Sequence, residues 1–134
     1  MRASRRSSQR RLGVAAAEFA VCMPLVVLIA IGSIEGANVV FLRQALTFAA
    51  YEAAQIATSI GGTQQDAKNR ALEILDAYQV DDATVDISPT INAQTAPRTE
   101  VSVTVTAPAN ANSLGVDWFF RGQTLQKTVT MCHM

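Results

Sequence analysis

Histidine is almost missing from this chain: of 134 residues only His133 is one, a single position from the end, and Cys22 and Cys132 are the two cysteines. One imidazole beside one thiol cannot complete a zinc site, and His133 has no cysteine or carboxylate partner at triad spacing. It is expected to lie in a frayed tail. Asp81, Asp82 and Asp86 lack the order of a calcium loop and read as a solvated turn. No glycine-rich phosphate loop follows a strand. Catalysis, a bound metal and a cofactor are therefore not expected. The two cysteines stand too far apart in sequence to suggest a disulfide framework. Charge is also scarce, at 16% of residues, and the 11 basic against 11 acidic groups conceal an uneven distribution. Residues 1–13 hold Arg2, Arg5, Arg6, Arg10 and Arg11 and no acid, which leaves six basic against 11 acidic groups from Val14 onward. An acidic remainder argues against nucleic acid as a partner, because neutralising phosphates takes Lys and Arg.

What the chain does have is a long apolar run. From Leu12 to Ile34 the one charged residue is Glu18, and Phe19 through Ile34 are uncharged. A bilayer core of about 30 Å takes roughly 20 helical residues, so Val14 to about Ile34 is long enough to cross it. Five arginines before the run predict a cytoplasmic N-terminus, with the rest of the chain across the membrane. A cleaved secretory signal fits less well, because its apolar region spans about 7–15 residues and ends in a small-x-small site. A lipoprotein site at Cys22 fails on Val21, and a twin-arginine signal fails because no apolar pair follows Arg5-Arg6 closely.

The residues at the start of the run, Arg10-Arg11-Leu12-Gly13-Val14-Ala15-Ala16-Ala17-Glu18-Phe19, resemble the prepilin pattern of a basic leader, a glycine, and glutamate followed by phenylalanine. The likeness extends through Pro24, Glu35 and the segment Arg43-Gln44-Ala45-Leu46-Thr47-Phe48-Ala49-Ala50-Tyr51-Glu52-Ala53-Ala54. That longer pattern is similar to the TadE-like pseudopilins of tight-adherence (Flp) pilus systems, with departures at Tyr51, Ala53 and Gln55. The resemblance implies cutting by a prepilin peptidase between Gly13 and Val14, and an assembly role for Glu18 and Phe19. It implies the bacterial inner membrane as location. Other pilins or pseudopilins and the pilus assembly platform are the implied partners.

Several residues of the run pose physical questions of their own. An acid at the centre of a membrane helix costs about 2.5–3.5 kcal/mol on insertion scales, and less near the interface, where Glu18 would sit. Cutting before Val14 would create an α-amino group, positive at neutral pH from its ordinary pKa of about 7.7–8.0. Glu18 can pair with that amine in its own or a neighbouring subunit; simple solvation by headgroups is the alternative. Pro24 deletes one helical hydrogen bond, which membrane neighbours can compensate, so a kink is expected before a break. Gly32 and Gly36 form a small-xxx-small pair suited to close helix packing. Glu35, about one bilayer thickness from Val14, is expected at the far interface.

Beyond Ala37 the helical pattern continues to Thr58. Gln44, Thr47, Tyr51, Gln55 and Thr58 fall on one stripe, with Leu42, Leu46, Ala49, Ala53 and Ile56 roughly opposite. From Val14 to Thr58 such a helix would measure about 67 Å, more than twice a bilayer core. Gly61-Gly62 ends it, and Thr63 with Asp66 caps a second amphipathic helix over 64–79, with Ala67, Ala71, Leu72, Leu75 and Tyr78 inward. The period then changes to two, in a short strand around Val85 and Ile87, a strict alternation over Glu100–Thr106, and a last strand with Leu125, Lys127, Val129 and Met131 on one face. Pro89–Pro97 and Asn110–Ser113 read as loops, and Val116–Phe120 as a cap on the sheet or a membrane- or partner-touching tip. The roughly 74 residues after Gly61 are too few to hold a strong core alone, so they are expected to pack against the helix over 37–58.

The expected fold is thus α+β, a long N-terminal transmembrane helix continuing as a stalk, a second helix and an antiparallel sheet of about three strands. The expected divisions are a basic leader at 1–13, a transmembrane helix at 14–36, a helical stalk at 37–60 and a small extracytoplasmic domain at 61–134. Function is expected to be that of a minor pseudopilin, single-pass in the inner membrane. An uncleaved, signal-anchored extracytoplasmic binding or sensor module is the alternative.

Overall fold

The computed structural model describes residues 4–92, 94–113 and 120–134, with side chains from Gly13 onward. Helix α1 runs Ser4–Thr58 and α2 Gln64–Ala77; β1 is Thr84–Ser88, β2 Glu100–Pro108 and β3 Thr124–Cys132, with a short 3-10 turn at Asn110–Asn112. The fold is α+β, as the change of period from helical to alternating implies. Contacts divide the chain into Met1–Ile34 and Glu35–Met134.

In the second unit, α1 buries Leu42, Ala45, Leu46, Ala49, Ala50, Ala53, Ala54 and Ala57, a stripe that repeats every three and then one residue along one helix face. Most of these are alanines, which favour helix and let another element approach closely. The helix stops where Gly61 takes φ 78° and Gly62 sits so tightly that a Cβ there would collide with the carbonyl oxygen of Ile56. Thr63 caps α2 as its sequence implies: its hydroxyl accepts from the Asp66 amide at 3.2 Å. The inward residues of α2 are Ala67, Ala71, Ile74 and Leu75. Leu72 and Tyr78, expected inside, are instead 43% and 55% exposed, because the apolar face of α2 is one residue narrower than its pattern implies and Tyr78 is already the C-cap. Tyr78 rests against Phe48 of α1, with ring centroids 6.3 Å apart.

The sheet has the order β1-β2-β3, antiparallel throughout, with Val85 opposite Val105 and Val103 opposite Val129. Val85, Ile87, Val101, Val103, Val105, Ala107 and Leu125 point into one core together with the stripes of α1 and α2. On the opposite face the hydroxyls of Ser102 and Thr130, and those of Thr104 and Thr128, pair across strands at 2.9 Å.

Three expectations change here. Thr58, on the polar stripe by spacing, is buried, because its hydroxyl is satisfied by the Ala54 carbonyl at 2.8 Å. Ile56, on the apolar stripe by spacing, is half-buried. His133 is not in a frayed tail. Its amide donates to Thr99 and its carbonyl accepts from Arg98, both at 2.8 Å, and Met134 donates to Thr58 at 3.0 Å. The His133 side chain is 6% exposed, and neither ring nitrogen has a hydrogen-bond partner among the described residues. Of the stretch Val116–Phe120, only Phe120 is among the described residues.

A further tie is not visible in the sequence. Asn112 accepts from the Asp81 amide at 2.7 Å and donates to the carbonyls of Asp81 at 3.0 Å and Pro108 at 2.8 Å. One amide side chain thereby fastens the α2–β1 connection to the end of β2. Asn112→Ala is expected to destabilise by about 1–3 kcal/mol, since it strips three partners at once. Thermal unfolding checks this; a midpoint equal to that of the wild type would show that the clamp contributes nothing.

Candidate assembly helix

The residues singled out in the sequence lie on α1. Gly13 and Val14 stand nine and ten residues after its first residue, Ser4, so the start of the apolar run is helical on both sides. Among the described residues a Cβ on Gly13 would meet nothing within 4 Å, so they give no steric reason for glycine there. The same holds at Gly36. Glu18 lies four residues from Val14, one helical turn away on the same face. It is exposed and makes no ion pair among the described residues.

Around Glu18 the helix shows apolar side chains on every side. Val14, Phe19, Val21, Leu25 and Ile29 are each exposed by more than half, Val21 by 80%. A helix that is apolar all round needs an apolar medium or other helices around it. The helix is long and apolar enough to cross a membrane, and none of its most apolar window is buried. Pro24 sits inside α1 without ending it. Gly32 and Gly36 are half-buried, and the Ser33 hydroxyl between them is satisfied by the Ile29 carbonyl at 2.7 Å. Glu35 is not exposed: it is 4% accessible and lines a small cavity with Asn38, Leu42, Asn112 and Phe120.

Glu52 is legible in the sequence as a conspicuous acid in an alanine-rich helix, but its partner is not. Arg70 of α2 reaches Glu52 at 3.3 Å and Glu73 at 3.0 Å. Glu73 first and then Glu52 raise the pKa of Arg70, so it is cationic at any pH the protein meets. The pair links α1 to α2 across 18 residues of sequence, a separation no periodicity signals. Cys22 and Cys132 are free and exposed. Among the described residues no group of three or more His, Cys, Asp or Glu gathers to hold a metal.

No curated protein and no solved structure matches the chain. Residues 13–55 match the sequence model of a family described as TadE-like protein. The matched stretch starts at Gly13, covers the exposed apolar part of α1, and includes Glu52. The segment that resembles the TadE-like family by its motifs is therefore matched by that family's own model, and over residues 13–55 this chain is similar to the TadE-like family.

Proposed function

We propose that the chain is a minor pseudopilin of a tight-adherence (Flp) pilus, made as a precursor and cut by a prepilin peptidase after Gly13. The observation that carries this reading is the TadE-like match beginning at Gly13, on a helix whose most apolar window is unburied among the described residues. Residues 1–13 act as a basic leader that stays in the cytoplasm, and residues 14–36 cross the bacterial inner membrane once. Residues 37–60 and 61–134 stand on the outer side. The cut leaves a positive amine on Val14, one helical turn from the Glu18 carboxylate. The two pair within a subunit or between neighbours as helices gather. Phe19 and the Gly32 and Gly36 pair are further contacts of that assembly, and Pro24 sets a bend in the span. The partners are other pilins or pseudopilins and the assembly platform. The outer unit primes, caps or guides the fibre.

The test is a strain lacking the chain, complemented with a version bearing a reporter after Met134. Pili should be lost on deletion and return on complementation, and the reporter should be active only if it functions outside the cytoplasm. Cys132 should react with a membrane-impermeant thiol reagent while Cys22 does not. Reporter activity in the cytoplasm would overturn the placement, and normal pili without the chain would overturn the function.

A further inference from the structure

The two edges of the sheet are unequally protected. β1 is five residues long, carries Asp86 and is followed closely by Pro89, features that discourage a further strand. β3 is nine residues long, has no proline, carries Lys127 as its one charge, and among the described residues pairs on one side only, with β2. Two bonds that bracket β3 fix which of its groups are free: the Ala109 amide donates to Gln123, and the His133 amide donates to Thr99. With the register of Val103 opposite Val129, this alternation puts the odd-numbered residues of β3 in bonds to β2. The N–H and C=O groups of Thr124, Gln126, Thr128, Thr130 and Cys132 therefore point away from the sheet. The close hydroxyl pairs at Thr128 and Thr130 agree, because side chains approach most closely at the non-hydrogen-bonded positions.

Beside this edge lies an open groove of about 680 Å³ whose lining includes Arg43, Thr47, Phe48 and Tyr51 of α1, with Tyr78 and Lys127. Lys127 reaches it because it shares the face of β3 that carries the buried Leu125. Phe48 and Tyr51 are 44% and 46% exposed. The groove has two cations and no carboxylate in its lining, although acids outnumber bases 11 to six from Val14 onward. Neither Arg43 nor Lys127 makes an ion pair among the described residues.

We propose that the β3 edge and this groove together accept an extended strand of another protein, which alternates apolar and acidic side chains on the face it turns toward α1. The added strand bonds to the free groups of the even-numbered residues of β3, as in strand addition to a sheet edge. Its apolar side chains cover Phe48 and Tyr51, and its carboxylates meet Lys127 and Arg43. A second copy of β3 fits less well. Antiparallel self-pairing about Thr128 makes the two Lys127 side chains diagonal neighbours on one face and brings no carboxylate to Arg43. The inference stands on the outer unit alone and does not depend on the pilus reading.

The probe is a synthetic nine-residue peptide with Thr at odd positions and Val and Glu alternating at even ones, added to the full chain in detergent micelles. Binding is followed by fluorescence anisotropy and by exchange of individual amides. The peptide is expected to slow exchange at Gln126, Thr128 and Thr130, while the amides of Lys127 and Val129, already bonded to β2, change little. Replacing its Glu residues with Lys, or making Lys127→Glu in the protein, should weaken binding at least tenfold. Gln126→Pro removes one outward N–H without touching the β2 ladder and should abolish binding at an unchanged thermal midpoint. If Gln126→Pro shifts that midpoint, a peptide N-methylated on its bonding amides makes the same test on unaltered protein. Absence of slowed exchange at millimolar peptide, equal binding of the Glu and Lys peptides, or full binding to a folded Gln126→Pro protein would overturn the proposal.

Discussion

Replacing Glu18 with glutamine is expected to lower pilus yield about tenfold or more while cutting and membrane insertion persist. Glutamine keeps the shape and hydrogen bonding of the side chain and removes its charge, which would leave the Val14 amine created by the proposed cut unpaired near the membrane. A lost pairing worth about 1.4 kcal/mol per subunit already changes an association equilibrium tenfold, and a fibre repeats that loss at each contact it affects. Glu18→Ala separates assembly from insertion, because it makes the run more apolar and favours membrane residence. A defect in both variants then cannot be assigned to failed insertion. The structure adds that Glu18 is exposed and makes no ion pair among the described residues, so neither change should disturb the fold. The measurement is pilus yield and crosslinking to other pilins at equal levels of processed protein. Unchanged values for both variants would leave Glu18 as a residue solvated at the interface.

Leu46→Ala should be the most damaging single truncation in the unit Glu35–Met134. Leu46 has no exposed surface and lies in the α1 stripe among alanines that cannot swing in to fill the space. Removing a buried leucine side chain costs about 2–5 kcal/mol, with the upper part of the range where the surroundings collapse poorly. For a unit of about 100 residues each kcal/mol moves the melting midpoint by roughly 4–8 °C, so a fall of about 10 °C or more is expected. Leu72→Ala is the control: Leu72 is exposed on α2 and should change stability by no more than about 0.5 kcal/mol. Thermal unfolding followed by circular dichroism measures both, and equal losses at the two positions would contradict the assignment of the core.

These two leucines show what periodicity conveys and where it stops. The stripe through Leu42, Leu46, Ala49 and Ala53 is legible because three-and-four spacing on a long helix gathers its apolar residues on one face. The alternation of Val101, Val103 and Val105 is equally plain, since a two-residue period has one buried face. Spacing misplaces Leu72 because the width of a helix's apolar face depends on what packs against it, which spacing does not encode. His133 escapes the sequence because position at a chain end suggests fraying, whereas backbone bonds to Arg98 and Thr99 hold it against the sheet. The ties from Asn112 to Asp81 and from Glu52 to Arg70 join residues far apart in sequence, and such pairs leave no local pattern. On α1 the order of Gly13, Glu18 and Phe19 is entirely local. That motif is therefore recognisable before any fold is known.

In the proposed pseudopilin the functional form begins at Val14. Intact-mass measurement with N-terminal sequencing of the protein from its native membrane tests it most directly. The expected result is a chain lacking residues 1–13, with Val14 at its amino terminus, and a Gly13→Leu variant that inserts but keeps its leader. Among the described residues nothing lies within 4 Å of a Cβ at Gly13, so that substitution should fold normally and its effect should report on cutting alone. A native protein that still starts at Met1, or a Gly13→Leu protein cut at the same bond, would contradict the account; an uncut native chain would instead be a signal-anchored module.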